Sequence, residues 1–266
     1  MSVNAAHRPA NGPALLALDT ATERLHAALV VGDAAPRVID LPGGAQASAT
    51  LLPALSALVS DAGLAWADLD ALAFGAGPGA FTGLRTACAT VQGLALGLNK
   101  PVLALDTLMA VAEDARLAHL ANVGGVADVD ANASVDAAWA SASAPLWALQ
   151  DARMGELYAA SYRWDGQRWH ADQAPQLWPL AHALSQAPAC WAGNALQADA
   201  ALLAPLQVSQ QPGTQGPVAA PRGAALASLA RQAWARGEAI DAALALPRYV
   251  RDKVAQTTAE RQQARA

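Results

Sequence analysis

The chain has 266 residues, a formal net charge of −5 with only two lysines (Lys100 and Lys253), and 54% hydrophobic residues, mostly alanine, with aromatics at 5%. That length supports one large or two modest domains with a real core, and the acidic balance argues against free-standing nucleic-acid binding through bulk charge. No apolar run reaches the roughly 18–20 residues of a membrane span, the start MSVNAAHRPANGP lacks an apolar signal core, and Cys88 and Cys190 suit neither a disulfide framework nor a zinc site, so a reducing cytoplasm is expected.

After a loose leader over 1–13, ALLALD (Ala14–Asp19) reads as a short buried strand ending at a polar turn. LHAALVVGD follows as a second strand and RVIDL pairs as a third. Thr50 is placed to cap a helix carrying Leu51, Leu52, Leu55, Leu58 and Val59, with Pro53 tolerated in its first turn and a stop at Asp61-Ala62-Gly63. DLDALAFGAG is the next strand, GLRTACATVQGLALGLN a helix stopped by Pro101, and PVLALDT another strand. Strands alternating with helices predict an α/β fold with a largely buried sheet. Residues 118–144 have no clear period and read as a surface insertion. The stretch PLWALQDARMGELYAASYRWDG then repeats the plan of LLALDTATERLHAALVVGD: apolar strand, acidic turn, apolar strand, Asp/Gly turn. ACWAGNAL reads as strand and turn, and AALASLARQAWARGE as an Ala-rich helix with Arg in its last turn.

Few residues point to chemistry. Asp19 at a strand end either orients a metal or water, or forms the turn with its own backbone. The stretch FGAGPGAFTGLR is either an anion cradle or a tight strand-to-helix turn. It matches neither the P-loop nor the dinucleotide fingerprint, and Arg85 is the one cation beside it. From Thr86 to Asn99 the following helix carries no charge and includes Gly93 and Gly97, so it is buried either in its own core or against a partner. The five histidines never fall in ligand spacing, which predicts no metal site, and no serine sits in a nucleophile elbow. The tryptophans read as core or cover, and Asp151, Arg153 and Glu156 in DARMGE read as structural partners of a turn. These features amount to a two-part α/β protein without a self-sufficient catalytic site.

Several stretches together resemble one family. LLALDTAT with Asp19, GAGPGAFTGLRTACATVQGLALGLNKPVLALDTL with Gly77, Pro78, Gly79, Phe81, Thr82, Gly83 and Arg85, LQDARMGELYAASY with Asp151, Arg153 and Gly155, and PRYVRD with Tyr249 and Arg251 are similar in order and spacing to TsaB (YeaZ) proteins, from Ala14 to about Val254. The resemblance implies an actin-like ATPase (ASKHA) fold of two duplicated domains with a degenerate nucleotide site: a first domain over 14–108, and a second over 109–246 whose late helix can pack back on the first. A C-terminal segment over 247–266 completes the chain.

The resemblance also implies a non-catalytic subunit of the complex that makes threonylcarbamoyladenosine beside the anticodon of tRNAs reading codons that begin with A. A TsaD-like paralogue then carries the metal-bound active site, and a TsaE-like small ATPase completes the complex. ATP and metal belong to those partners, so no cofactor is expected on this chain, and tRNA is met through the complex. The catalytic paralogue needs a His-x-x-x-His helix; the corresponding SATLLPALSALV has none, and Ala47 stands where relatives often carry His. An autonomous kinase or metallopeptidase is the alternative, against which WAGNAL is the only late adenosine-loop candidate and Gln150 occupies the repeat position of Asp19. Leu51, Leu55 and Leu58 on the first helix and Cys88, Val91 and Ala95 on the second are expected to form the partner surface, which pairs two copies when the chain is alone. Arg248, Arg251 and Lys253, interleaved with Tyr249 and Val250, are expected to dock along the first domain or on the assembled complex.

Overall fold

The structure, a computed structural model, describes residues 12–44, 47–124, 144–186, 188–205 and 218–251. A five-stranded sheet has the order β3-β2-β1-β4-β5, formed by β1 (Ala14–Asp19), β2 (Arg24–Val31), β3 (Arg37–Pro42), β4 (Ala71–Gly75) and β5 (Val102–Leu105). The hairpin β1–β2 and the pair β2–β3 are antiparallel, whereas β1–β4 and β4–β5 are parallel. The second sheet, β8-β7-β6-β9, repeats the plan with β6 (Leu146–Arg153), β7 (Glu156–Trp164), β8 (Trp169–Pro179) and β9 (Trp191–Gly193). In it β6–β7 and β7–β8 are antiparallel and β6–β9 is parallel. The duplicated hairpin expected from the sequence is therefore present in both sheets.

Parallel pairing requires crossovers, and these supply the helical layers. Helices α1 (Ala47–Ser60) and α2 (Phe81–Leu98) cover one face of the first sheet, closing a core of Leu16, Leu18, Phe74, Leu55 and Val91. Helix α3 (Thr107–Gly124) and the late helix α5 (Gly223–Ala235) fill the space between the sheets, where Leu15, Leu108, Leu226, Ala148 and Tyr162 share one core. The short α4 (Leu180–Gln186) lies over the far side of the second sheet, with Leu149, Leu157 and Trp178. Strand β1 is buried along its whole length, as its uninterrupted apolar run requires. Across the middle layer, fully buried Glu113 of α3 accepts from Arg116 Nε at 2.6 Å, Trp169 Nε1 at 2.9 Å and Ser228 Oγ at 2.5 Å, which joins α3, β8 and α5.

Two sequence expectations need correction. Thr50 lies inside α1 and does not cap it, because the helix already runs from Ala47. The insertion predicted over 118–144 begins too early: its first seven residues continue α3, whose buried face includes Leu108, Val111, Ala112 and Ala115, and 125–143 lie outside the described residues. The late part of the chain returns to the first domain. Helix α5 packs on β1, β2 and β5, and Ile240 exchanges backbone hydrogen bonds with Val102, so the chain after 222 belongs spatially to the first sheet.

The glycine-rich turn between β4 and α2 is held against the end of β1. Ala80 N–H donates to Ala21 O at 2.8 Å, and Thr20 Oγ1 donates to Gly83 O at 2.7 Å. A Cβ on Gly83 would stand 1.8 Å from Thr20 O, and one on Gly75 would stand 1.7 Å from Asp19 Oδ2. Asp19, fully buried, accepts from Ala21 N–H at 2.7 Å and Thr107 Oγ1 at 2.9 Å, and Thr107 Oγ1 in turn accepts from Gly77 N–H at 3.1 Å. Burial raises the Asp19 carboxyl pKa to about 6, against the opposing effect of these donors.

Two predictions follow from this packing. Gly83→Ala is expected to lose about 2 kcal/mol or more, because rigid backbone blocks the new methyl. Gly93→Ala on the same helix, where the space is open, is expected to be neutral or to gain up to about 1 kcal/mol; paired urea titrations check both. For Asp19, the folded state binds its proton more tightly than the unfolded chain, so the penalty of ionising it is absent below about pH 4 and fully felt above about pH 6. Relative to Asp19→Asn, the wild type should therefore lose about 3 kcal/mol of unfolding free energy as pH rises across that window, whatever the constant offset between the two proteins.

Candidate functional site

Between the two sheets opens a cleft of about 600 Å³. The first domain supplies the β1–β2 turn and the start of α2; the second supplies the end of β6, Tyr158 and Asn194; the segment Arg248–Arg251 closes one side.

Asp19 does not reach the cleft, because Gly75, Ala21 and Thr107 enclose it on the sheet side. Its counterpart in the repeat is Gln150, which follows Leu146 and Ala148 on the face of β6 turned toward the middle layer, as Asp19 follows Leu15 and Ala17 on β1. Gln150 is neutral, so neither domain presents a carboxylate at the strand end. The other acids of the wall are partnered. Glu23 pairs with Arg153 across the cleft, and Asp151 Oδ1 accepts from Arg153 N–H at 2.7 Å. Asp151 N–H donates to Asn194 Oδ1 at 2.8 Å. No cluster of three or more His, Cys, Asp or Glu side chains with metal-binding geometry occurs among the described residues.

Several residues of the sequence motifs make internal contacts. In the stretch from Gly77 to Gly83, with a cis bond between Gly77 and Pro78, the N–H groups of Gly77 and Ala80 are taken by Thr107 and Ala21. The tight-turn reading of this loop holds. In DARMGE, Met154 and Gly155 have φ of 58° and 72°, the backbone of a two-residue hairpin turn with both central residues left-handed. Arg153, also at positive φ, reaches Glu23, and Tyr158 Oη donates to Gly79 O at 3.3 Å, so the hairpin is tied to the opposite domain.

Of the C-terminal segment, the described residues 248–251 run along the first domain and reach the second. Arg248 N–H donates to Ala76 O at 2.6 Å, and the Tyr249 ring lies 5.2 Å from that of Phe81. Arg85 Nε donates to Tyr249 Oη at 3.1 Å while its guanidinium sits 3.9 Å over Phe81. Arg251 crosses to the second domain, pairing with Glu156 Oε2 at 2.6 Å. Lys253 lies outside the described residues.

The expected partner residues are corrected by burial. Leu51, Leu55, Leu58, Cys88, Val91 and Ala95 all turn into the core beneath α1 and α2. An apolar stripe at helical spacing packs first on the sheet of its own domain, and here it does. The surface these helices leave outward is the opposite stripe: Leu52 at 48% exposed on α1, and Ala89, Gly93, Leu96 and Gly97 on α2, with Leu96 at 58%. Gly93 and Gly97 were noticed in the sequence as small residues allowing close approach, and both face open space. Which of two apolar stripes faces inward was not visible, since both lack charge.

A family model described as TsaD: tRNA N6-adenosine threonylcarbamoyltransferase matches residues 44–123, the stretch from just before α1 through nearly all of α3. The chain is 32% identical over 161 residues to the tRNA threonylcarbamoyladenosine biosynthesis protein TsaB of Escherichia coli, covering 60% of this chain and 59% of that one. To the protein of the same name in Haemophilus influenzae it is 42% identical over 120 residues, covering 44% and 49%. The chain thus spans about half to three fifths of the length of these curated relatives. Two solved structures extend the likeness. YeaZ from Pseudomonas aeruginosa is 32% identical with a TM-score of 0.63, covering 89% of this chain and 99% of that one. A structure titled an uncharacterized protein with similarity to peptidase YEAZ from Pseudomonas aeruginosa, also 32% identical, has a TM-score of 0.66 and coverages of 90% and 100%. With two duplicated sheets this is the actin-like ATPase type of fold, and at that identity over the full length of a solved relative the chain belongs to the TsaB (YeaZ) family.

Proposed function

We propose that the chain is a non-catalytic scaffold and activating subunit in tRNA threonylcarbamoyladenosine biosynthesis, docking a TsaD-like catalytic paralogue through the outward face of α1 and α2. The observation that carries this reading is that face itself. From Thr86 to Asn99 it holds no charge, exposes Leu96, and has glycines with open space above them, so a second helix can approach its backbone closely. The family model of the transferase matches the segment that builds these helices. Two chains sharing that segment can pair like helix to like helix, in the manner of an isologous dimer.

The cleft supports the non-catalytic half of the reading. A phosphotransferase needs a carboxylate or metal at the strand ends, where Asp19 is enclosed and Gln150 is uncharged. The metal, the ATP and the transfer of threonylcarbamoyl to the adenosine beside the anticodon then belong to the TsaD-like and TsaE-like partners, with tRNA met through the complex. Without the paralogue the same face pairs two copies of this chain.

Gly93→Glu tests the surface without disturbing the core, because the side chain enters open space and glutamate favours helix over glycine. The expected outcome is a monomer with unchanged or slightly raised Tm that binds the purified paralogue at least about tenfold more weakly. Wild-type dimerisation and wild-type affinity in this variant would move the interface elsewhere. A charge at Val91, by contrast, would enter the core and unfold the domain.

A further inference from the structure

Helices α1 and α2 together carry one charged residue, Arg85. It lies on the exposed side of α2, one turn before Ala89 and two before Gly93, and so stands at the edge of the outward face. Its guanidinium is held in place: Nε donates to Tyr249 Oη at 3.1 Å, and the central carbon sits 3.9 Å over the Phe81 ring. Among the described residues Nη1 and Nη2 have no hydrogen-bond partner, and no acid pairs with them. Beside Arg85 a groove of about 480 Å³ opens between the starts of α1 and α2, with Leu51, Leu52, Phe81, Ala89 and Thr90 in its walls. Those walls are apolar or hydroxyl-bearing and include no carboxylate.

We propose that Arg85 decides which chain the outward face prefers: a partner helix that brings an Asp or Glu to its guanidinium and an apolar side chain to the groove. This rests on the docking role assigned to that face above. The preferred occupant is the TsaD-like paralogue, because a second copy of this chain offers Arg85 no carboxylate from α1 or α2. The first acid after α1, Asp61, follows the far end of that helix, about 14 Å along the axis from Leu52. Covering a cation without an opposite charge is costly, so self-pairing leaves both Arg85 side chains desolvated and unpaired, whereas the paralogue pairs the one it meets. The stacked and hydrogen-bonded guanidinium is already oriented, so its open fork loses little freedom when a carboxylate arrives. The homodimer is then the weaker assembly, and the paralogue displaces one copy from it.

Sedimentation equilibrium of the full chain alone and calorimetric titration with the purified paralogue, at low and at high salt, test this. Arg85→Gln is expected to weaken paralogue binding about tenfold at low salt and clearly less at high salt, because a charged pair is lost. The same variant should leave the homodimer constant within about twofold of the wild type, or tighten it. Tyr249→Phe removes the hydrogen bond to Arg85 but keeps the charge and the ring, so it should change paralogue binding by no more than about threefold. A loss equal to that of Arg85→Gln would mean that Arg85 acts only by fixing the C-terminal segment, and would overturn the proposal. So would equal weakening of both pairings by Arg85→Gln, an unchanged paralogue affinity, or a homodimer that Asp61→Asn weakens about tenfold. Gly93→Glu separates this from the docking role itself. If it abolishes both pairings while Arg85→Gln changes neither, the face docks and only the role of Arg85 falls; if Gly93→Glu binds as the wild type does, both fall.

Discussion

The structure depends on a backbone-to-backbone approach. The end of β1 meets the start of α2 where Gly83 lies against Thr20 O, and meets the end of β4 where Gly75 lies against the Asp19 carboxylate, distances that no side chain beyond hydrogen permits. Because α2 enters so close to β1, the glycine loop closes over the sheet end, Asp19 is enclosed, and Thr107 at the head of α3 is drawn into the same hydrogen-bonded group. Three elements far apart in sequence are fixed by one junction. Its polar atoms satisfy each other, which leaves Asp19 poorly placed for chemistry and well placed for structure.

The duplicated plan is uneven. Among the described residues the first sheet has five strands and two covering helices, whereas the second has four strands, one of them the three-residue β9, and the short α4. The middle layer compensates: α5 packs on the first sheet and α3 on the second, and Glu113 knits the two helices to β8 through charge-assisted bonds in a buried setting. The segment after α5 adds a strap from Ile240 along α2 to Arg251 on the second domain, so the last described residues brace the cleft.

Helix α2 shows how one uncharged sequence serves two environments. Its inward stripe, with Val91 and Ala95, completes the domain core, and its outward stripe, with Ala89, Gly93 and Leu96, stays bare. The outer stripe is the face to which the proposed function assigns the paralogue.

By itself the sequence determined the alternation of strands and helices, the doubled hairpin and the family, because apolar periodicity, turn chemistry and the motif around Gly77–Arg85 are local properties of the chain. It also showed an uncharged helix, yet not which stripe faces inward, since Leu55 and Val91 differ from Leu52 and Leu96 in position around the axis and hardly in chemistry. Helix α3 escaped notice because it is apolar on nearly every side through Leu108–Ala112 and has no amphipathic period to detect, a pattern that suits a helix packed between two sheets. Whether Asp19 served chemistry or a turn, and where Arg251 would rest, depended on contacts across more than fifty residues of sequence. Only the tertiary structure decided those, because burial and hydrogen-bond partnership are properties of what the chain brings together in space.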